Sequence, residues 1–329
     1  MNTIALDALK HEIDEFILFK RTLGRRYEST ALLLKRFERF AEARAKSLSS
    51  SQIELEALIR AWLARAGMRK PTTTAQQFGV ICEFYRYRHR RNPRSYVPDR
   101  GLAPRRGPAF VPYALSRDQV RMMLRVARRY RGELFWAEML ELLLLMWYCT
   151  GLRPGEPLRM RLADLDLKAR TFLIRESKGR TRIVPFGADL AHKLGHYLRK
   201  RAVLVSASAS CDTLLLDAKG RALRIRSVTK VICKLFRRIG LKPAAGPGGP
   251  RAYDFRHAFA VHRLTRWYAA GADLHARLPW LSAYMGHDDL LGTEVYLHAT
   301  PSLLHTASQR FANRLKRGPV TNEPSSAHR

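Results

Sequence analysis

At 329 residues the chain has room for two domains, each with its own core, and its 46% hydrophobic content is that of a globular protein. Sixty Lys and Arg against 28 Asp and Glu leave a net charge of +32, with +9 on residues 1–100 and +23 on the remainder. Such an excess is hard to hold on a compact protein without a polyanionic partner, and the longest apolar run, Leu142–Cys149, is far short of a membrane span.

The N-terminus MNTIALDALKHEIDEF mixes acidic and apolar residues, without the basic-then-apolar order of a targeting segment. Apolar residues then recur at helical spacing over 3–19, 27–45, 51–66 and 74–89, with Ser51 and Glu54 forming a capping-box signature. Residues 1–98 therefore read as a bundle of about four helices. Between Arg91 and Leu115 five prolines and many arginines break all periodicity, so 99–112 is expected to be a linker able to follow a phosphate backbone.

A second unit is expected over 113–315. It opens with the helix SRDQVRMMLRVARRY, followed by a hydrophobic helix at 134–149 that stops at Gly151. RMRLADLDLKARTFLIRESKGRTRIVPFG has short apolar alternations separated by turn residues, and predicts a small antiparallel sheet with a turn at Lys178-Gly179. Helices follow at 189–203, 227–239, 255–269, 277–285 and 293–299, the last of which Thr293 could cap. SLLHTASQRFANRL predicts a final short helix, and 316–329 a disordered tail. The fold class is thus mainly α: a helical bundle plus a mostly helical α+β domain with a small antiparallel sheet.

Arginine outnumbers lysine in RRYRG, RMRL, GRTR and FRRIG, and its planar fork suits phosphate oxygens. Charge alone does not separate DNA from RNA, nor exclude a membrane surface. Cys82, Cys149, Cys211 and Cys233 are widely scattered, fit neither a metal-ligand spacing nor a disulfide framework, and are expected to be reduced in a cytosolic protein.

Four segments hold residues competent for phosphodiester chemistry without a metal. In TGLRPGEPLRM, Arg153 follows a buried helix and lies close to Glu156. Lys178 stands at the hairpin tip of ESKGRTR. YDFRHAF places Tyr253, Arg256 and His257 at the start of an apolar helix. GHDDLLGTEVYLHA carries His287, Tyr296 and His298. Each has an ordinary reading as well: a surface ion pair, a solubilising lysine, a polar helix end, a half-buried tyrosine. Spacing does not establish that they converge.

In this order, TGLRxGE, a hairpin lysine, xDxRHxFA and GHxxxxxTxxYxH resemble the tyrosine recombinase (phage integrase) family over about 113–315. The insert between Arg256 and His287 looks most like recombinases carried on transposons. The resemblance implies that 1–98 is a DNA-clamping domain and that Tyr296 attacks a scissile phosphate, leaving a 3′-phosphotyrosyl link and a free 5′-hydroxyl. It implies that Arg153 and Arg256 clamp the phosphate, His287 donates a hydrogen bond, and Lys178 protonates the departing oxygen. Glu156, His257 and His298 support them, with His257 turned about 100° from Arg256 along the helix. Covalent catalysis conserves the bond energy, so neither cofactor nor metal is expected.

One departure stands out: Tyr253 occupies a position where the family usually has histidine. Its hydroxyl is expected to take over the hydrogen bonding of that histidine without its titration near neutrality. The expected partners are double-stranded DNA, further copies of the chain in a tetrameric synapse, and a paired recombinase or accessory proteins, with no membrane, in a cytoplasmic, nucleoid-associated setting. Integration or transposition competes with chromosome or plasmid dimer resolution. A type IB topoisomerase would share the chemistry, and a non-catalytic DNA-binding accessory protein would share only the charge.

Overall fold

The computed structural model describes residues 3–24, 27–48, 52–65, 70–103, 105, 113–132, 137–177, 179–205, 211–246, 248–287 and 289–298, with single positions 305, 308, 309 and 312. Two compact units emerge, Met1–Phe110 and Val111–Arg329.

The first unit is built on helices α1 (Leu6–Thr22), α2 (Glu28–Ser47), α3 (Leu55–Ala64) and α4 (Pro71–Arg91). Each turns an apolar stripe inward: Ile13 and Phe16, Leu34 and Phe37, Leu58 and Ile59, Ile81 and Phe84 are all buried in one core. Pro71 starts α4 where its missing N–H costs nothing. The helices expected from residues 3 and 51 begin later. Thr3–Ala5 (β1) and Gln52–Glu54 (β2) pair antiparallel, with Ile4 opposite Ile53 and both buried. Three residues satisfy either a helical or a strand period, and pairing with a distant segment decided it. Glu54 stands at the N-cap of α3 without a side-chain cap, and Ser51 lies outside the described residues.

In the second unit Ser116 and Gln119 close a capping box on α5 (Arg117–Arg128). The apolar run forms α6 (Ala137–Thr150), with Leu142, Leu143, Leu144, Met146 and Trp147 buried. A short α7 (Glu156–Arg159) leads into an antiparallel sheet of β3 (Leu165–Asp166), β4 (Thr171–Ser177) and β5 (Arg180–Pro185), in that order. Phe172 of β4 faces Val184 of β5, and Ser177 faces Arg180, so the β4–β5 connection spans 178–179. A register shift between Ile174 and Ser177 accompanies the positive φ of Glu176.

Helices α8 (Ala188–Val205), α9 (Ile225–Arg238), α10 (Asp254–Ala269), α11 (Leu274–Met285) and α12 (Leu291–His298) complete the unit. Helix α10 serves two cores. Phe255 and Ala258 enter the large one with Trp147 and Phe236, while Phe259, Val261 and Leu264 enter a smaller one with Leu281, Met285 and Tyr296. That second core seats α11 and α12 against α10. The expected final helix 302–315 and the tail lie outside the described residues, apart from the single positions named. Among the described residues no helix is long and apolar enough to cross a membrane.

Candidate active site

Four stretches remote in sequence meet at the α6–α7 turn, the β4–β5 hairpin and the ends of α10, α11 and α12. Helix α6 stops because Gly151 takes a left-handed φ of 61°. A Cβ there would lie 2.4 Å from the Phe259 ring, so both conformation and space demand glycine. The turn frees the Gly151 carbonyl and projects Arg153.

Arg153 is held from three sides. Its Nη1 donates to Glu156 Oε1 at 3.1 Å and to Ser177 Oγ at 3.0 Å, and its Nη2 donates to the Gly286 carbonyl. Its backbone N–H donates to Glu156 Oε2 at 2.8 Å. Glu156 is buried and also receives a two-point fork from Arg182, Nη1 to Oε1 at 3.0 Å and Nη2 to Oε2 at 2.9 Å. Ser177 adds a 2.5 Å hydrogen bond. Burial alone would raise the carboxyl pKa, but the Arg182 fork, with Ser177 and the Arg153 N–H, outweighs it and holds Glu156 at about 2. Sequence reasoning missed Arg182 and Ser177. The alternation Arg180-Thr181-Arg182 on a strand was the available signal, because it sets both arginines on one face.

That face grips the end of α11. Arg180 Nη1 donates to the His287 carbonyl at 3.3 Å, and Arg182 Nε to the Tyr284 carbonyl at 3.0 Å. Gly286 closes α11 in the left-handed region, with the His287 N–H returning to the Ser282 carbonyl in a Schellman-type cap.

Arg256, on the first turn of α10, is fully buried. Its Nη1 donates to the Gly151 carbonyl at 2.6 Å and its Nη2 to the Met285 carbonyl at 2.7 Å. Arg153 and Arg256 thus grasp consecutive carbonyls, 286 and 285. Burial, reinforced by the positive charge of Arg153, lowers Arg256 to about 10, so it stays protonated at neutral pH. The Nε atoms of Arg153 and Arg256 are buried without a hydrogen-bond partner among the described residues.

His257 diverges from Arg256 as successive helical residues do. Its Nδ1 lies 2.9 Å from the Tyr296 hydroxyl, and its Nε2 lies 3.6 Å from Asp254 Oδ1. Burial lowers the imidazole to about 4; Asp254 opposes the shift, and Arg251 and Arg256 assist it. Tyr296 is 2% exposed, and burial pushes its phenol up to about 12, against the pull of Arg256. The Tyr253 ring packs 5.0 Å from the His257 ring.

His287 stacks 6.3 Å from the Tyr296 ring, with its Nδ1 2.7 Å from Thr293 Oγ1. Thr293 is therefore not the cap of α12. The helix starts two residues earlier, Asp289 Oδ1 accepts from the Gly292 N–H at 2.9 Å, and the buried Thr293 hydroxyl is turned to His287. Lys178 and the His298 side chain lie outside the described residues.

The unit is mostly helical, with Arg256 and Tyr296 buried and Arg153 half-buried. Residues 114–302 match the sequence profile of the Phage integrase family, and the chain belongs to that family, the tyrosine recombinases, which break and rejoin DNA strands. Among its relatives is the protein named "Putative integrase/recombinase y4rB" of Sinorhizobium fredii, 32% identical over 323 residues, covering 94% of this chain and 98% of that one. The tyrosine recombinase XerC of Anoxybacillus flavithermus is 28% identical over 251 residues, 74% of this chain and 77% of its own. In fold the chain is similar to the Tn1549 transposon integrase in complex with transposon right end DNA, at a TM-score of 0.66 and 16% identity, covering 94% and 100% of the two chains. It is likewise similar to XerH bound to difH substrate, at a TM-score of 0.63 and 19% identity, covering 86% and 78%.

Proposed function

We propose that this chain is a site-specific DNA recombinase of a mobile element, acting in its integration or transposition through a 3′-phosphotyrosyl intermediate on Tyr296. The observation that carries the chemistry is the anchoring of Arg153 and Arg256 on adjacent carbonyls at the end of α11, the segment that leads into Tyr296. Attack on a phosphodiester builds negative charge on the non-bridging oxygens, and guanidinium groups already locked in place need no reorganisation to meet it. The Nε–H groups of Arg153 and Arg256, unpartnered among the described residues, each cost about 1–3 kcal/mol when buried, a residual fitting a site that receives an anion. His287 adds a donor, Lys178 protonates the departing 5′-oxygen, and Glu156 braces Arg153.

Residues 1–98 clamp the duplex, 99–112 link, and 113–315 catalyse, with four copies assembling on two duplexes. The mobile-element reading is supported by the insert between Arg256 and His287 and by the integrase/recombinase relative matched over nearly its whole length. The test is covalent adduct formation on nicked suicide duplexes tiled from the DNA flanking the gene. Wild type is expected to form adducts and Tyr296→Phe none; adducts that persist in Tyr296→Phe would move the nucleophile elsewhere. Sequencing of recombinant junctions decides the role. Excised circles and new insertions support mobility, whereas junctions confined to two copies of one chromosomal or plasmid site assign dimer resolution.

A further inference from the structure

We infer that His257 is the general base for the nucleophile: it takes the Tyr296 proton as the tyrosine oxygen bonds to phosphorus, with Asp254 stabilising the imidazolium that forms. This rests on the reading of Tyr296 as nucleophile.

The geometry is that of a carboxylate, an imidazole and a hydroxyl in series. His257 Nδ1 stands 2.9 Å from the Tyr296 hydroxyl, the distance at which a base abstracts a proton. Asp254 Oδ1 lies 3.6 Å from the opposite ring nitrogen, an electrostatic neighbour and not yet a hydrogen-bond acceptor. Asp254 is itself immobilised: it is fully buried, and its Oδ2 accepts from the Arg251 N–H at 2.6 Å. A carboxylate facing Nε2 favours the tautomer with the proton on Nε2, which leaves the Nδ1 lone pair for the phenol.

The imidazole of His287 is placed differently, since its Nδ1 meets Thr293 Oγ1 at 2.7 Å and its ring stacks on that of Tyr296. Tyr253 packs on the ring of His257, where it orients the imidazole.

Among the described residues, the charged and titratable groups that bear on His257 are Asp254, Arg251, Arg256, Tyr253 and Tyr296. Burial keeps the resting imidazole neutral, so it is free to accept. The phenol is a weak acid here, and transfer ahead of attack is uphill. Transfer concerted with attack is not, because the tyrosine oxygen loses its basicity as it becomes an aryl phosphate ester. The Tyr296 O–P bond forms, the P–O5′ bond breaks, the phenolic proton goes to Nδ1, and the 5′-oxygen takes a proton from Lys178. On rejoining, His257 returns its proton to Tyr296.

The test uses the full chain and the nicked suicide duplexes in single turnover. His257→Ala and His257→Asn are expected to slow adduct formation by about 10²–10⁴-fold, with unchanged duplex binding. Replacing Tyr296 by a ring-fluorinated, more acidic tyrosine in the His257→Asn background is expected to recover tenfold or more, which a purely structural defect would not allow. A duplex with sulfur as the bridging 5′-leaving atom relieves the need for an acid, and is expected not to recover it. Rates within threefold of wild type in both variants, or no recovery with the fluorinated ring, would overturn the proposal. Adducts in Tyr296→Phe would instead remove the underlying reading. Independently of DNA, 15N shifts of the wild-type protein are expected to show Nδ1 unprotonated at pH 7; a proton resident on Nδ1 would overturn it as well.

Discussion

Glu156 is the residue on which the described hydrogen bonds converge, taking donors from Arg153, Ser177 and Arg182. Removing one partner of a buried ion pair leaves the other uncompensated, at about 3–5 kcal/mol. Arg182→Met leaves Glu156 with Arg153 and Ser177, so it is expected to lower the unfolding free energy by up to about that much, read from the shift of the urea midpoint, and to slow cleavage by loosening Arg153; an unchanged midpoint would mean the fork carries no net stability. Glu156 falls from 4.5 to about 2 on folding, so its stabilisation is complete above about 4.5 and is lost as pH falls through about 2. The difference corresponds to about 3 kcal/mol. In thermal melts across that window, Glu156→Gln is expected to lose this part of the acid lability. Tyr253 gives a cleaner kinetic test. Tyr253→Phe keeps the ring against His257 and removes the hydroxyl, and slower suicide-substrate cleavage is expected, with Tyr253→His retaining it. Equal rates for Tyr253→Phe and wild type would leave the hydroxyl no part in catalysis.

Helix termini, more than helix bodies, aim the site. Gly151 ends α6 and Gly286 ends α11, and between them they expose the carbonyls that receive Arg256 and Arg153. Gly151→Ala meets two penalties: a left-handed backbone, about 1–2 kcal/mol, and overlap with Phe259. Gly179→Ala shares the positive φ, at 78°, but its Cβ would meet nothing within 4 Å among the described residues. Calorimetry is expected to rank Gly151→Ala well below Gly179→Ala in melting temperature, and similar values would show that the Phe259 contact relaxes freely. The helices were legible because an amphipathic stripe or an apolar run repeats over three or more turns, as in α5 and α6. The three-residue strands β1 and β2 were not, because so short a segment carries no period of its own.

At the scale of the molecule the charge of +32 governs encounter with DNA. Each neutralised phosphate releases counterions, so a surface making 6–10 phosphate contacts loses roughly 10³–10⁵ in affinity between 50 and 200 mM salt. Fluorescence anisotropy on a random duplex is expected to show that steep fall. A flat salt response would contradict a backbone-dominated interface.

The family and the helical character followed from the sequence by itself, as did the order of the residues proposed for the site. Motif spacing and side-chain chemistry are local properties, and TGLRPGE or GHDDLLGTEVYLH carries them wherever it folds. What the tertiary structure alone decided is which groups touch. Arg182 meets Glu156 across 26 residues, His257 meets Tyr296 across 39, and Arg153 meets the Gly286 carbonyl across 133. A backbone carbonyl has no signature in the sequence, and a contact between distant segments exists only once the cores of α6, α10 and α11 have packed.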